Sequence, residues 1–261
     1  MLMTAVTRCE FSWIDFWGNM EFSVFEWNGF SGVKFDFRGM PVKVVKPNVA
    51  ANGKWALKTE YFGAFPNAEI ALLNRGWHIV FQQNENRWAQ EYDLERKEAL
   101  VREIPAMFSL CERFSAVGMS CGGMYAVLLA ARCPELVDVL YLDAPVLNLL
   151  SCPCDMGIAQ SGLYPEFFGV TGLTKSEMLS YRNHPIDKIH ILLEGKIPVL
   201  LIAGDSDSVV PYVENGKILA DYYEKNDGVI EVILKKDCDH HPHGLENGEA
   251  VADIIERLCR T

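Results

Sequence analysis

Three short stretches hold residue types that work together in acyl transfer. The first, Val117-Gly118-Met119-Ser120-Cys121-Gly122-Gly123-Met124, sets a serine between two glycines, each two positions away. The second, Gly204-Asp205-Ser206-Asp207-Ser208-Val209-Val210-Pro211, offers two carboxylates. The third, Lys235-Lys236-Asp237-Cys238-Asp239-His240-His241-Pro242-His243-Gly244, gathers half of the chain's six histidines within four positions. A serine hydroxyl is a weak nucleophile until a base takes its proton, and that base must be oriented by an acid. Serine, acid and histidine follow one another along this chain in the order used when the nucleophile sits on a strand-to-helix turn.

Such chemistry needs a scaffold that aims three loops at one point. An apolar run, Phe114–Met119, leads into Ser120, and an Ala/Leu-rich helix over Gly123–Cys133 leaves it. Gly118 and Gly122 remove the Cβ atoms that would crowd so sharp a turn, and the helix N-terminus favours developing negative charge. Upstream, alternating apolar and polar residues around Gly39-Met40-Pro41 predict a hairpin over residues 33–45. Strands are expected at 55–62, 77–81, 114–119, 137–142, 198–203 and 229–234. Helices are expected at 67–74, 94–114, 123–133, 212–225 and 248–258, with Pro105 kinking the second. Strand and helix alternate from residue 55 onward, which implies an α/β fold: a mostly parallel sheet behind an antiparallel start, with helices on both faces. Residues 148–196 break the rhythm and read as a lid insertion in a single domain spanning residues 1–261.

In such a sheet, ligands gather outside the carboxyl ends of the strands, where Ser120 falls. Asp207, deeper in its loop, is the stronger acid candidate; Asp205, directly after the strand, reads as a turn cap. His240 is the first candidate for the base and His241 the second, with His243 read as a loop histidine bonded to backbone. The three histidines are closely spaced in an irregular loop with no acidic or cysteine partner at metal spacing, so no metal is expected there. One oxyanion donor is the N–H of Cys121, the residue after the nucleophile. The Cys121 side chain is expected to pack behind the turn instead of reacting.

In that order, GMSCGG, GDSDSVVP and DHHPHG resemble the α/β-hydrolase superfamily, with the nearest likeness to its dienelactone hydrolase and acetylxylan-esterase-like branches. The resemblance covers roughly residues 30–260. Dienelactone hydrolases use a cysteine nucleophile; Ser120 in that position implies plain ester hydrolysis. Their acid matches Asp207. Asp239 stands where they have a glycine, which keeps His240 and His241 both open. Lys58-Thr59-Glu60-Tyr61-Phe62-Gly63 is similar to their Gln-Glu-Ile-Phe-Gly loop. That similarity implies Tyr61 N–H as the second oxyanion donor, with Phe62 as alternate, and places Glu60 beside the nucleophile as a ligand for Ser120 or for a substrate hydroxyl. The wording HHPHGL resembles hydrolases found among polysaccharide-degrading enzymes and points to sugar esters. Arg87, Trp88, Tyr164, Phe167 and Phe168 lie in loops that can cover the site.

Composition sets the outer limits. The chain has 261 residues, 49% of them hydrophobic, and a net charge of −11. A sizeable core is within reach without a staple. The acidic balance argues against nucleic acid or an anionic membrane as partner. The expected partner is a small-molecule ester, with no cofactor. No stretch approaches the ~20 apolar residues of a membrane span, and the first residues lack a basic segment followed by an apolar one, so a cytoplasmic location is expected. The eight cysteines, at 9, 111, 121, 133, 152, 154, 238 and 259, are scattered. Cys152-Pro153-Cys154 is too tight for ordinary zinc spacing and reads as loop thiols.

Overall fold

A computed structural model describes residues 21–260; the start of the chain, including Cys9, lies outside the described residues. The sheet opens antiparallel. β1 (Ser23–Trp27), β2 (Phe30–Phe37) and β3 (Met40–Val45) form a meander. The β2–β3 turn is closed by Arg38 and Gly39, both at positive φ (54° and 83°), which is the backbone twist a two-residue hairpin prefers. β3 then pairs antiparallel with β5 (His78–Gln82). From there every pairing is parallel, through β4 (Trp55–Lys58), β6 (Phe114–Met119), β7 (Val137–Asp143), β8 (Val199–Gly204) and β9 (Ile230–Lys235). The order across the sheet is β1-β2-β3-β5-β4-β6-β7-β8-β9. This is the expected α/β architecture.

Period-two alternation builds both faces. Trp55 and Leu57, Phe114 and Ala116, Leu140 and Leu142, and Val199 and Leu201 point into one core. That core is covered by α2 (Glu91–Phe108), α3 (Cys121–Arg132), α6 (Ile189–Glu194) and α7 (Gly216–Lys225). Residues of alternate position along the same strands (Ala56, Val117, Tyr141, Leu200 and Ile202) point to the opposite face, under α1 (Asn67–Asn74) and α8 (Gly248–Leu258). Leu72 and Leu73 of α1 are fully buried there, each contributing about 1.5–3 kcal/mol. Between β7 and β8 the chain makes α4 (Tyr164–Thr171), α5 (Lys175–Met178), a 3₁₀ turn (Pro185–Lys188) and α6. Phe167 of α4 and Met178 of α5, with Trp88, Cys121, Met124, Cys152 and Cys154, form a third cluster.

Three expected elements differ. The strand expected over 55–62 stops at Lys58, because Thr59 turns its side chain onto the Ser120 turn and Tyr61 takes φ 55°, which no strand allows. The helix expected over 94–114 runs Glu91–Phe108, carrying Pro105 in its last turn and ending where Ser109 goes left-handed. The helix expected over 212–225 is split. A 3₁₀ turn (Tyr212–Glu214) is separated from α7 by buried Asn215, whose φ/ψ of −129°/−91° is not helical. Its side chain accepts from the N–H groups of Leu147 (3.0 Å) and Asn148 (2.9 Å) and donates to Pro211 O, tying the chain after β7 to the loop after β8. Among the described residues no helix is long and apolar enough to cross a membrane.

Candidate active site

Ser120 sits at the carboxyl end of β6, beside the loop after β4, where the strand order reverses. Its φ/ψ of 51°/−122° is a conformation side chains avoid, costing of order 1–3 kcal/mol. The surroundings impose it. Ser120 N–H donates to Asp143 O (2.9 Å), and Ser120 O accepts from Gly123 (2.9 Å) and Val146 (3.0 Å). The Thr59 hydroxyl shares its proton between Gly122 O (2.7 Å) and Val117 O (3.1 Å). The glycines are needed for space. A Cβ on Gly118 would meet Gly122 O and Gly123 Cα at 2.7 Å, and one on Gly123 would meet Pro145 Cβ at 2.3 Å. Gly122 is looser, its nearest neighbour being Glu60 Cβ at 3.1 Å. The tight pair is therefore Gly118 and Gly123, not Gly118 and Gly122.

The three loops converge on Ser120. His240 Nε2 lies 3.1 Å from Ser120 Oγ, and His240 Nδ1 lies 2.8 Å from Asp207 Oδ2. The Asp207 side chain has no solvent exposure and that of His240 has 8%. Asp207 Oδ1 accepts the N–H groups of Val209 (2.9 Å) and Val210 (2.8 Å), which fixes the carboxylate. A buried carboxylate demands the proton on Nδ1, leaving the Nε2 lone pair facing the serine hydroxyl. Asp205 is exposed and accepts from the Ser206 hydroxyl (2.9 Å). Asp239 accepts from Ser208 N–H (2.9 Å) and His240 N–H (2.7 Å), lashing the acid loop to the histidine loop. Those bonds, Ser208 first, hold its carboxyl below the usual range. His241 is exposed and stacks on Phe65, centroids 5.5 Å apart.

Around the place where an acyl oxygen would lie, the loop after β4 is anchored from below. Buried Lys58 pairs with buried Glu69 (2.5 Å) and donates to Ala64 O (2.7 Å). Tyr61 N–H donates to Glu60 Oε1 (3.2 Å), and Glu60 Oε2 accepts from Asn84 Nδ2. Glu60 thus engages Asn84 and the loop backbone instead of Ser120. Cys121 N–H, at the first position of α3, is one of the groups a helix cannot satisfy internally. Its thiol is buried beside the Tyr61 phenol, and burial pushes it up to about 11, so it stays protonated near neutral pH. Arg87 lies against the same phenol and pairs with Glu166, which also accepts from Trp88 Nε1 (3.0 Å). Trp88 and Phe167 are buried edge-to-face and wall a cavity of about 260 Å³ with Met124, Leu149 and Tyr181. Phe168 is exposed, and Tyr164 packs near it.

Several contributors escaped the sequence reading. Asn84 and Phe65 carry no motif, and Thr59, inside the loop motif, shows no role of its own by type or spacing. Asp143 did leave a signal, a carboxylate ending an apolar strand at the ligand-binding edge. It holds the ring of His243 through Nδ1 (2.6 Å), both groups being buried. His243 is therefore held by a carboxylate and not by backbone. The loop also fans the three histidines so that one nitrogen from each lies within 4.8 Å of the others.

The sequence matches the prolyl oligopeptidase family over residues 99–259, more than half of the chain. No curated protein matches it. Among solved structures, it is similar to the puromycin-hydrolyzing peptidase of Mycobacterium tuberculosis (14% identity, TM-score 0.63, covering 84% of this chain and 36% of that one). It is similar also to the acylaminoacyl peptidase of Pyrococcus horikoshii (14%, 0.65, covering 94% and 41%). A third is the S-formylglutathione hydrolase of Agrobacterium tumefaciens (14%, 0.58, covering 91% and 96%). The chain thus spans 36–41% of the length of the two peptidases and nearly all of the third protein. The superfamily is the one the three motifs resemble: the chain has the α/β-hydrolase fold and belongs to the prolyl oligopeptidase family.

Proposed function

We propose that the protein is a serine hydrolase of carboxylic esters that works through an acyl-enzyme, with Ser120 as nucleophile, His240 as base and Asp207 as its orienting acid. The observation that carries this is the unbroken relay from Asp207 Oδ2 to His240 (2.8 Å) and from His240 to Ser120 Oγ (3.1 Å), set on a strained turn. Ser120 Oγ attacks the acyl carbon as its proton passes to His240 Nε2. The tetrahedral oxyanion takes hydrogen bonds from Cys121 N–H and Tyr61 N–H, the latter displacing Glu60 Oε1. Each such donor is worth roughly 3–4 kcal/mol. Collapse expels the alcohol, which receives the Nε2 proton. Water, deprotonated by the same nitrogen, then releases the acid and regenerates Ser120.

Glu60 and exposed His241 are assigned to substrate hydroxyls. The segment over residues 148–196 acts as a lid, with Arg87–Glu166 bracing it. The likeness to an S-formylglutathione hydrolase across 96% of its length supports small acyl substrates. Amide cleavage is the second reading, favoured by the family match and by the two peptidases. The test compares kcat/KM for an ester and an amide of one acyl group, with Ser120→Ala as control. The ester reading expects the ester preferred by at least about a hundredfold, or ~2.7 kcal/mol. An amide turned over as fast assigns the protein to peptidases, and Ser120→Ala at the wild-type rate removes the serine mechanism altogether.

A further inference from the structure

The triad needs one histidine, yet three meet at its edge. The ring centroids of His240, His241 and His243 are 4.8–4.9 Å apart in every pairing. Two of the rings are held alike by a carboxylate: Nδ1 of His240 faces buried Asp207 and Nδ1 of His243 faces buried Asp143. A carboxylate behind one ring nitrogen fixes the tautomer and makes the opposite nitrogen a better donor, which is the support metal-bound histidines have. Asp143 is itself braced by Gly244 N–H (2.5 Å) and the Tyr141 hydroxyl (3.5 Å), so the second pair is as firmly built as the first. Ester hydrolysis as derived above makes no use of it.

We propose that His240, His241 and His243 together bind one Zn²⁺ ion, and that the bound ion shuts off the site. With Nδ1 of two rings committed to carboxylates, their Nε2 atoms are left to coordinate. Zinc–nitrogen bonds of about 2.1 Å at tetrahedral angles put ligand nitrogens about 3.4 Å apart. One ring nitrogen from each histidine lies within 4.8 Å of the others, so drawing three ligand nitrogens to that spacing moves the rings by an ångström or so. Exposed His241, stacked on Phe65 at the outer edge of the cluster, supplies most of that movement. An all-imidazole set suits zinc and excludes Mg²⁺ and Ca²⁺, which require oxygen ligands. Inhibition rests on the function proposed above, because zinc occupies the lone pair that takes the Ser120 proton. Binding does not rest on it.

The experiment separates the two. Zinc chloride is titrated calorimetrically into chelator-stripped protein, and fluorophosphonate labelling of Ser120 is timed with and without the metal. A single saturable site is expected, weakened at least about tenfold in His241→Gln and kept within threefold in Ser120→Ala. Because His241 is exposed, its substitution leaves the fold intact; His243→Gln serves as the second variant. Zinc should slow labelling, and EDTA should restore it. Absence of saturable binding overturns the site, as does zinc affinity unchanged in both histidine variants. If Ser120 is not the nucleophile, labelling fails with or without zinc while the calorimetric isotherm persists, so failure of one claim is not mistaken for failure of the other.

Discussion

Replacing Gly123 by alanine tests the elbow geometry where it is tightest. The added methyl would stand 2.3 Å from Pro145 Cβ and 2.7 Å from Pro145 Cα. Carbon atoms prefer about 3.5–4.0 Å, so the start of α3 and the chain after β7 must separate by over an ångström. Neither side yields easily, since Gly123 N–H and Val146 N–H both donate to Ser120 O. Overpacking costs about 1–3 kcal/mol, and the better helix propensity of alanine returns about 1. A net loss of up to about 2 kcal/mol follows, measurable in urea unfolding. Rate should suffer more, because an ångström of misplacement at a reacting group costs about a hundredfold. Gly122→Ala is the comparison. Its methyl meets Glu60 Cβ at 3.1 Å, Thr59 Oγ1 at 3.2 Å and the Glu60 backbone nitrogen at an ordinary 3.4 Å, so its neighbours need shift only by a few tenths of an ångström. Its kcat/KM on p-nitrophenyl acetate should fall less than about tenfold. A Gly123→Ala enzyme at the wild-type rate, or one more active than Gly122→Ala, refutes the reasoning.

Asp207→Asn should lower kcat by about 10³–10⁴ through loss of the correct tautomer, and Asp205→Asn should stay within twofold; steady-state kinetics decide, and equal losses contradict the assignment. His78 is kept neutral by burial, and next by Lys46, down to about 4, with its Nδ1 buried and unpartnered. The unfolded chain therefore takes up that proton first as pH falls below 6.5. Stability should drop by up to about 3 kcal/mol between pH 6.5 and 4, and His78→Thr should flatten the urea-midpoint profile in that window. Lys58→Met strands the Glu69 carboxylate in the core and should cost about 3–5 kcal/mol, whereas Lys58→Met with Glu69→Leu should recover more than half; a double variant no better than the single one contradicts the buried pair.

What could be read from the sequence is what local pattern dictates. The helices Asn67–Asn74 and Gly248–Leu258 follow from apolar spacing and their flanking residues, and both take the expected bounds. Ser120 stands out because an apolar strand and a small-residue helix frame it. The order of the three motifs along the chain narrowed the site to two aspartates and two histidines, and only the folded loops put Asp207 and His240 in line. The rest depends on partners far away in sequence. Asn215 breaks a helix because the N–H groups of Leu147 and Asn148 need an acceptor. Glu60 turns from Ser120 because Asn84, 24 residues on, donates to it. Gly123 matters because Pro145 passes over it. No window along the chain contains those pairs.

The central claim is that Ser120 is activated by His240 and not by its neighbour. Fluorophosphonate treatment followed by peptide mapping tests it most directly. The predicted result is one adduct, on Ser120, lost in His240→Ala and retained in His241→Ala. An adduct on another residue, no adduct on the folded wild-type protein, or labelling that survives His240→Ala and disappears with His241→Ala would contradict it.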